Sequence, residues 1–358
     1  MVVLLALAVC QSHLLFGMTA KLKEAAIVRE RKRICASYNP SRGRRRHALS
    51  RKPTAKARAL SAVSEEEEFQ VLTALSTKYN DIVIVDTPKS RILLLDSTHN
   101  VHSIYNKGEG VLKWTGSYWD EFASLPAIVP QGPIAILGLG GGTSARLMLD
   151  LWPSLKLKSW EIDEILIDKS REYLGLSDLE KCTQDGGFLD VYVGDALSPS
   201  ASTPGGFAGI VVDLFSDGKI LPQLQEVTTW LELSNKLMSH GRIMVNCGGA
   251  HAKTVESWDG ITHKNSWDQN STIRALCSVF AGNLCWKKME GDGENYLALT
   301  GPFPDLDVWS ALVPEQMSPD FTLLECLQYV KADDEEKCPR GATIEAESGK
   351  GIATLVLL

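Results

Sequence analysis

The amino-acid sequence predicts an α/β fold: an open, mostly parallel sheet covered by helices on both faces, preceded by a small β-rich domain. Three observations predict it. From Gly132 onward, short apolar runs alternate with segments of helical spacing, the pattern of strands joined by crossover helices. The first of those runs ends in a cluster of glycines, "IAILGLGGGTSARLM". The last two runs, in "NLCWKKMEGDGENYLALTG", flank Gly291–Asp292–Gly293, which reads as a closing antiparallel hairpin.

The first segment, residues 1–61, is set apart by charge. Of the chain's 37 basic and 44 acidic residues, fourteen and two lie before residue 62, so the remainder nets about −19. "MVVLLALAVCQSHLLFG" is short for a membrane span of ~20 residues and has no basic residue at its start. The stretch from Lys21 to Arg58 is Arg-rich, holds several serines and is nearly acid-free, the composition of an organelle transit peptide. The expected destination is the chloroplast, with the mitochondrion as the alternative. Secretion, with Met1 to Gly17 as its apolar region, is a third reading, and a disordered basic tail or nucleic-acid arm is the rival to all of them. The acidic body argues against phosphate-backbone binding, so neither nucleic acid nor membrane is expected to partner the mature form.

Eight cysteines stand at 10, 35, 182, 247, 277, 285, 326 and 338, with no CxxC among them. His99 and His102 are close together, but no HExxH occurs. No spacing fits a zinc site and no metal is predicted. The cysteines read as small buried hydrophobes.

Residues 62–114 form the small β-rich domain. "YNDIVIVDTPKSRILLLDS" gives two strands around a turn at Pro88–Lys89–Ser90, and "NVHSIYNKGEGVLKW" adds further strand, placing the β region at about Lys78 to Trp114. The large domain, 115–330, opens with a helix in "SYWDEFASLPAIV", which carries Phe122 and Leu125 at helical spacing and Pro126 and Pro130 near its end. Strands follow at Ile134–Leu137, Leu157–Trp160, Leu189–Val193, Ile210–Asp213 and Arg242–Asn246. Helices fall between them at Ser144–Leu151, Ile165–Leu174, Leu221–Leu224 onward and Thr228–Ser239, then Gln269–Phe280 before the hairpin. Residues 331–358 are polar and expected to be disordered, apart from the apolar "IATLVLL". Five alternating strands and a closing hairpin are the chain order of the Rossmann-like, seven-stranded class I S-adenosylmethionine-dependent transferase sheet.

On such sheets ligands bind outside the carboxyl ends of the strands, at the topological switch point. Gly138, Gly140 and Gly142 follow the first parallel strand, and Thr143 stands where a dinucleotide fingerprint would have its third glycine. The resulting G-x-G-x-G suits adenosine with a methionine-like tail rather than a pyrophosphate. Glu161 ends the second strand, where an acid accepts hydrogen bonds from ribose hydroxyls. Asp195 follows the third strand in "VGDA", suited to an adenine amino group, and Asp213 follows the fourth, beside the reacting centre. Each has a plainer reading: a tight turn, a solvated acid, a helix cap. Their recurrence at four successive strand ends is what makes them a candidate site.

At these residues the sequence resembles the spermidine synthase (polyamine aminopropyltransferase) family, from about Tyr79 to Gly248. "YNDIVIVDTPKSRILLLD" looks like the family's leading hairpin, and "SYWDEFASLP" like its tyrosine-containing segment. "EIDEILIDKSREYL" resembles its acid-plus-helix segment, and "VGDA" and "VVDLFSD" its adenine-side and catalytic-loop motifs. The resemblance implies a donor, S-adenosylmethionine or its decarboxylated form, and a small-molecule amine or polyamine acceptor. It implies that Asn80 and Asn100 line the donor site and that Tyr118 flanks the acceptor amine. Asp213 or Asp217 would hold that amine and take its proton. A homodimer is expected by the same resemblance. Trp114 and Trp119 lie near the mouth, either facing a cation or simply packing.

The sequence also departs from the family. Gly141 stands where the family has an aspartate that binds the donor amine. The loop Asp213–Leu214–Phe215–Ser216–Asp217 is one residue longer and partly apolar, and "SIYNKGEGVLKWTG" replaces an acidic stretch. Two other functions therefore accompany aminopropyl transfer: a methyltransferase using intact S-adenosylmethionine, which Gly141 favours, and a non-catalytic nucleoside-binding or partner subunit, which the altered loops favour.

Overall fold

The structure, a computed structural model, describes residues 69–98, 100–108, 114–249, 270–289, 295–313 and 330–331. The basic segment 1–61, His99, the turn Gly291–Asp292–Gly293 and the tail beyond Lys331 lie outside the described residues.

Four antiparallel strands come first: β1 (Gln70–Ser76), β2 (Asp81–Asp86), β3 (Ser90–Leu94) and β4 (Ser103–Asn106), paired in that order. The turn between β2 and β3 closes through Thr87, whose amide donates to the Ser90 carbonyl at 2.8 Å. The sequence reading began this sheet at Lys78 and missed β1. Its burial is only partial, with no side chain fully covered, so its apolar pattern is weak.

The large domain runs α1 (Tyr118–Ser124), a 3-10 turn (Leu125–Ile128), β5 (Ile134–Leu137), α2 (Thr143–Leu151), β6 (Lys156–Glu161), α3 (Glu164–Tyr173), α4 (Leu176–Leu179) and β7 (Phe188–Val193). It continues through β8 (Phe207–Val212), the short β9 (Phe215–Ser216) and β10 (Lys219–Ile220), a 3-10 turn (Pro222–Gln225), α5 (Val227–Ser234) and β11 (Leu237–Gly249). The last elements are α6 (Ser271–Val279), β12 (Leu284–Lys288), β13 (Asn295–Thr300), α7 (Leu306–Leu312) and β14 (Val330–Lys331).

The sheet order is β14-β12-β13-β11-β8-β5-β6-β7. β11, β8, β5, β6 and β7 are parallel neighbours, and β13 is antiparallel to both β11 and β12. Without the two-residue β14, this is a seven-strand mixed sheet whose chain leaves β5 for one edge and returns to β8. Every residue of β5 and β8 is buried, because helices cover both faces of the central strands. One face packs Trp119 and Phe122 of α1 and Met148 of α2. The other packs Trp230 of α5 and Leu276 of α6.

Two sequence expectations need correction. The helix read as Thr228–Ser239 ends at Ser234. The Phe207 amide takes the Lys236 carbonyl at 2.8 Å and Leu237 pairs with Phe207, so the sheet captures residues that helical spacing alone would continue. The stretch from Leu221 is a single 3-10 turn. Among the described cysteines, Cys247, Cys277 and Cys285 are buried as expected, whereas Cys182 is exposed.

The small sheet sits on the front of the large one. Ile82, Ile84 and Leu93 pack against Leu166 and Leu174 at the two ends of α3. Arg91 donates to the Tyr173 carbonyl at 2.6 Å, and the Ile104 amide donates to Thr143 Oγ1 at 2.9 Å.

Candidate functional site

Backbone hydrogen bonds stitch four adjacent strand ends together. Gly194 donates to the Glu161 carbonyl at 2.9 Å, Gly138 to that of Trp160 at 3.0 Å, and Asp213 to that of Leu137 at 2.9 Å. The predicted Gly138, Glu161, Asp195 and Asp213 thus lie along one edge, where β7, β6, β5 and β8 end side by side.

Gly138, Gly140 and Gly142 all adopt positive φ, at 91°, 55° and 86°. At Gly138 the need is absolute: a Cβ there would lie 2.2 Å from the Asp213 carbonyl oxygen. That glycine lets β5 and β8 run on as neighbours beyond their last ladder bonds. Glu161 turns back onto the loop: its Oε2 accepts from the Gly140 amide at 3.0 Å. Its Oε1 accepts from the Ile162 and Asp163 amides at 2.9 and 3.2 Å. Burial raises its carboxyl above the ordinary range, and these three amides pull the other way.

Asp213 is half-buried at the end of β8. Burial pushes its carboxyl up to about 6, against the neighbouring Tyr118, Asn246 and Trp119 side chains. Asn246 Nδ2 donates to Asp213 Oδ1 at 3.1 Å. The Tyr118 hydroxyl is raised well above the ordinary phenol value by burial and by the neighbouring Asp213 charge.

The other predicted residues are less central. Asn80 Nδ2 donates to Asp163 Oδ2 at 2.8 Å, the carboxylate that caps α3 two residues after Glu161. Asp195 is exposed and accepts from the Leu197 amide at 2.9 Å. Asn100 is exposed, its amide bonded to Thr98 Oγ1 at 3.2 Å. Asp217 is exposed in the β9–β10 turn, at φ 50°. Trp119 is 4% exposed and packs in the core, although its indole also meets Asp213.

The sequence reading missed several residues of this edge. Ser103 Oγ accepts from the Gly141 amide at 2.8 Å. A Cβ on Gly141 would lie 2.6 Å from Leu174 Cδ1 and 2.7 Å from Ser103 Cβ, so the place of an acid there is already taken. His102 Nδ1 accepts from the Leu95 amide at 3.2 Å, and its Nε2 faces Asp96 at 3.2 Å. Burial raises Asp96, but bonds from His102 and Thr98 outweigh it and leave the carboxyl well below its ordinary value. Asn246 has no motif around it, because only β-sheet register carries it to Asp213.

A cavity of about 340 Å³ opens at the Asp195 end of this edge, lined by Trp160, Tyr192, Val193, Gly194, Asp195 and nearby serines. Neither Glu161 nor Asp213 lines it. Among the described residues no group of three His, Cys, Asp or Glu side chains could hold a metal.

A seven-strand sheet of this order, with glycine loop and acids at the carboxyl ends around the switch between β5 and β8, defines the class I S-adenosylmethionine-dependent transferase fold. A probable spermidine synthase from Corynebacterium glutamicum ATCC 13032 superposes with a TM-score of 0.55 and 17% identity, covering 80% of this chain and 99% of that one. A spermidine synthase solved with the transition-state analogue AdoDATO gives 0.50 and 14%, covering 70% and 79%. In sequence, a probable polyamine aminopropyl transferase of Bifidobacterium longum (strain NCC 2705) is 31% identical over 110 residues. That match covers 30% of this chain and 24% of the relative, about a quarter of the relative's length. No family model matches. Within its class the chain has the fold of the spermidine synthases, and a stretch of 110 residues is similar in sequence to a probable polyamine aminopropyl transferase.

Proposed function

We propose that this protein is an aminopropyltransferase: it binds decarboxylated S-adenosylmethionine and passes the aminopropyl group to a polyamine amine. The observation that carries the reading is the Asp213 carboxyl, held by Asn246 and neighboured by Tyr118, one strand over from the glycine loop that Glu161 closes.

The donor brings a sulfonium whose attached carbons are electrophilic and whose thioether leaves readily. What remains for the protein is alignment and control of one proton. Glu161 and the Gly138–Gly142 loop would grip the nucleoside, with Asp195 at its base end and Asn80 and Asn100 along the donor. An acceptor amine is an ammonium at neutral pH and must lose a proton to attack. Asp213, pushed up to about 6, is ionised at neutral pH and still basic enough to take that proton in transit. The new N–C bond forms as the C–S bond breaks, 5′-methylthioadenosine leaves, and the proton passes through Asp213 to water. Tyr118 would orient the carboxylate, and Asp217 would meet the far end of the acceptor cation.

A second reading, methyl transfer from intact S-adenosylmethionine, is favoured by one feature: Ser103 and Leu174 fill the space beside Gly141, so no acid there holds the donor amine or repels a donor carboxylate. Full-length protein incubated with each donor and a panel of diamines tests both. 5′-Methylthioadenosine with an aminopropylated amine supports the first reading, and S-adenosylhomocysteine with a methylated product replaces it with the second.

We also propose import into a plastid directed by residues 1–61, on their composition, and a homodimer, on the family resemblance. Sedimentation of the full chain tests the dimer. No helix among the described residues is long and apolar enough to cross a membrane.

A further inference from the structure

Helix α1 presents two polar side chains to the sheet, one turn apart. Tyr118 meets Asp213, and Glu121, three positions on, meets Lys287 of β12. Residues three apart share a helix face. The sheet offers a matching pair. Asn246 of β11 stands opposite Leu297 of β13, and Leu297 stands opposite Lys287. Residues directly opposite each other project from the same side of a sheet. Asn246 and Lys287 therefore share one face at one level, two strands apart, and α1 lies across both.

The outer contact is deeply buried: the Lys287 and Glu121 side chains are 4% and 3% exposed, and Glu121 Oε2 is buried without a hydrogen-bond partner. Burial raises the Glu121 carboxyl, and Lys287 pulls it back. Such a pair is a poor source of stability, since well-packed apolar side chains commonly serve as well. What it supplies is direction. An ion pair fixes a distance and an orientation, whereas apolar contact is non-directional and lets a helix slide.

We propose that the Glu121–Lys287 ion pair is a positioning device for Asp213, pinning α1 to β12 so that the Tyr118 hydroxyl is held against the Asp213 carboxyl. Neither member touches substrate; both act through Tyr118. What Asp213 does chemically rests on the transferase reading above, but the linkage itself does not.

The test uses full-length protein and two readouts. Carbon-13 NMR follows the Asp213 carboxyl through its titration, the resonance being assigned by its loss in Asp213→Asn, and product assays give kcat and KM. Burial raises the Asp213 pKa, and Tyr118, Asn246 and Trp119 lower it, so loosening α1, which carries Tyr118 and Trp119, moves the midpoint. In the double variant Glu121→Met/Lys287→Met, the midpoint is expected to move by at least half a pH unit. Its kcat should fall about tenfold, with donor KM within twofold of the parent. Glu121→Asp keeps both charges with a shorter reach and should move the midpoint the same way, which keeps the test open if the double variant does not fold. A change in melting temperature with midpoint and kcat at parental values in the folded variants would make the pair merely structural and overturn the proposal. A parent that forms no aminopropylated product, while the variants still shift the Asp213 midpoint, would overturn the transferase reading and leave this one standing.

Discussion

Glu161 Oε2 accepts a hydrogen bond from the Gly140 amide at 3.0 Å, across 21 residues of chain. The acid that closes β6 and the loop that follows β5 are thereby one unit. Its second oxygen is held by the Ile162 and Asp163 amides, so the carboxylate cannot swing away without releasing three donors.

Glu161→Gln tests that unit. An amide nitrogen cannot accept from the amides that a carboxylate oxygen holds, so one end of the side chain is turned against its neighbours. Binding of 5′-methylthioadenosine to the full chain, followed by titration calorimetry, is expected to weaken at least tenfold, about 1.4 kcal/mol. Parental affinity would remove Glu161 from the site.

Gly141→Asp asks whether an acid can stand at that point of the glycine loop. The backbone there is not left-handed, so the obstacle is space, with Leu174 and Ser103 at 2.6 and 2.7 Å from a Cβ. Overpacking of this kind costs about 1–3 kcal/mol. The variant is expected to melt several degrees lower and to bind decarboxylated donor no more tightly. A tighter complex at unchanged melting temperature would show that the small sheet yields readily.

Asp213 and Asp120 carry pH-dependent stability of a defined sign. Burial pushes both carboxyls from 3.8 up to about 6. As pH rises the unfolded chain releases these protons first, so these groups favour folding below about pH 4 and progressively oppose it between about 4 and 6. Asp213→Asn should therefore raise the melting temperature at pH 7.5 and leave it unchanged at pH 4. The gain is at most about 3 kcal/mol and is reduced by the side chain's partial exposure. The same variant should lose at least about 100-fold in turnover. Calorimetry at both pH values would contradict this if the gain were equal at each.

For the basic segment, the full chain fused to a fluorescent protein at its carboxyl end is expected in plastids, and a fusion lacking residues 1–61 in the cytosol. The same location for both would reject the targeting role.

Much of this was legible in the chain itself. The run Ile134–Leu137 is the observed β5 to the residue, and Leu157–Trp160 and Leu189–Val193 differ from β6 and β7 only at their ends. Periodicity and turn chemistry are local, and a central strand is apolar on both faces whatever lies next to it. For the same reason the glycines and the acids at successive strand ends could be read as one edge before any contact was known. Among the elements that escaped, β1 and the end of α5 are places where pairing with another strand overrides a weak or contrary local pattern.

The sequence alone therefore determined the class of fold, the order of its five parallel strands along the chain and the four strand-end positions Gly138, Glu161, Asp195 and Asp213. Only the tertiary structure decided that Asn246 meets Asp213, that Ser103 takes the Gly141 amide, and that Glu121 pairs with Lys287 across 166 residues. The physical reason is that a residue's place in a strand follows from its near neighbours. Its partner across the fold is set by sheet register and helix docking, and the packing of the whole chain selects both.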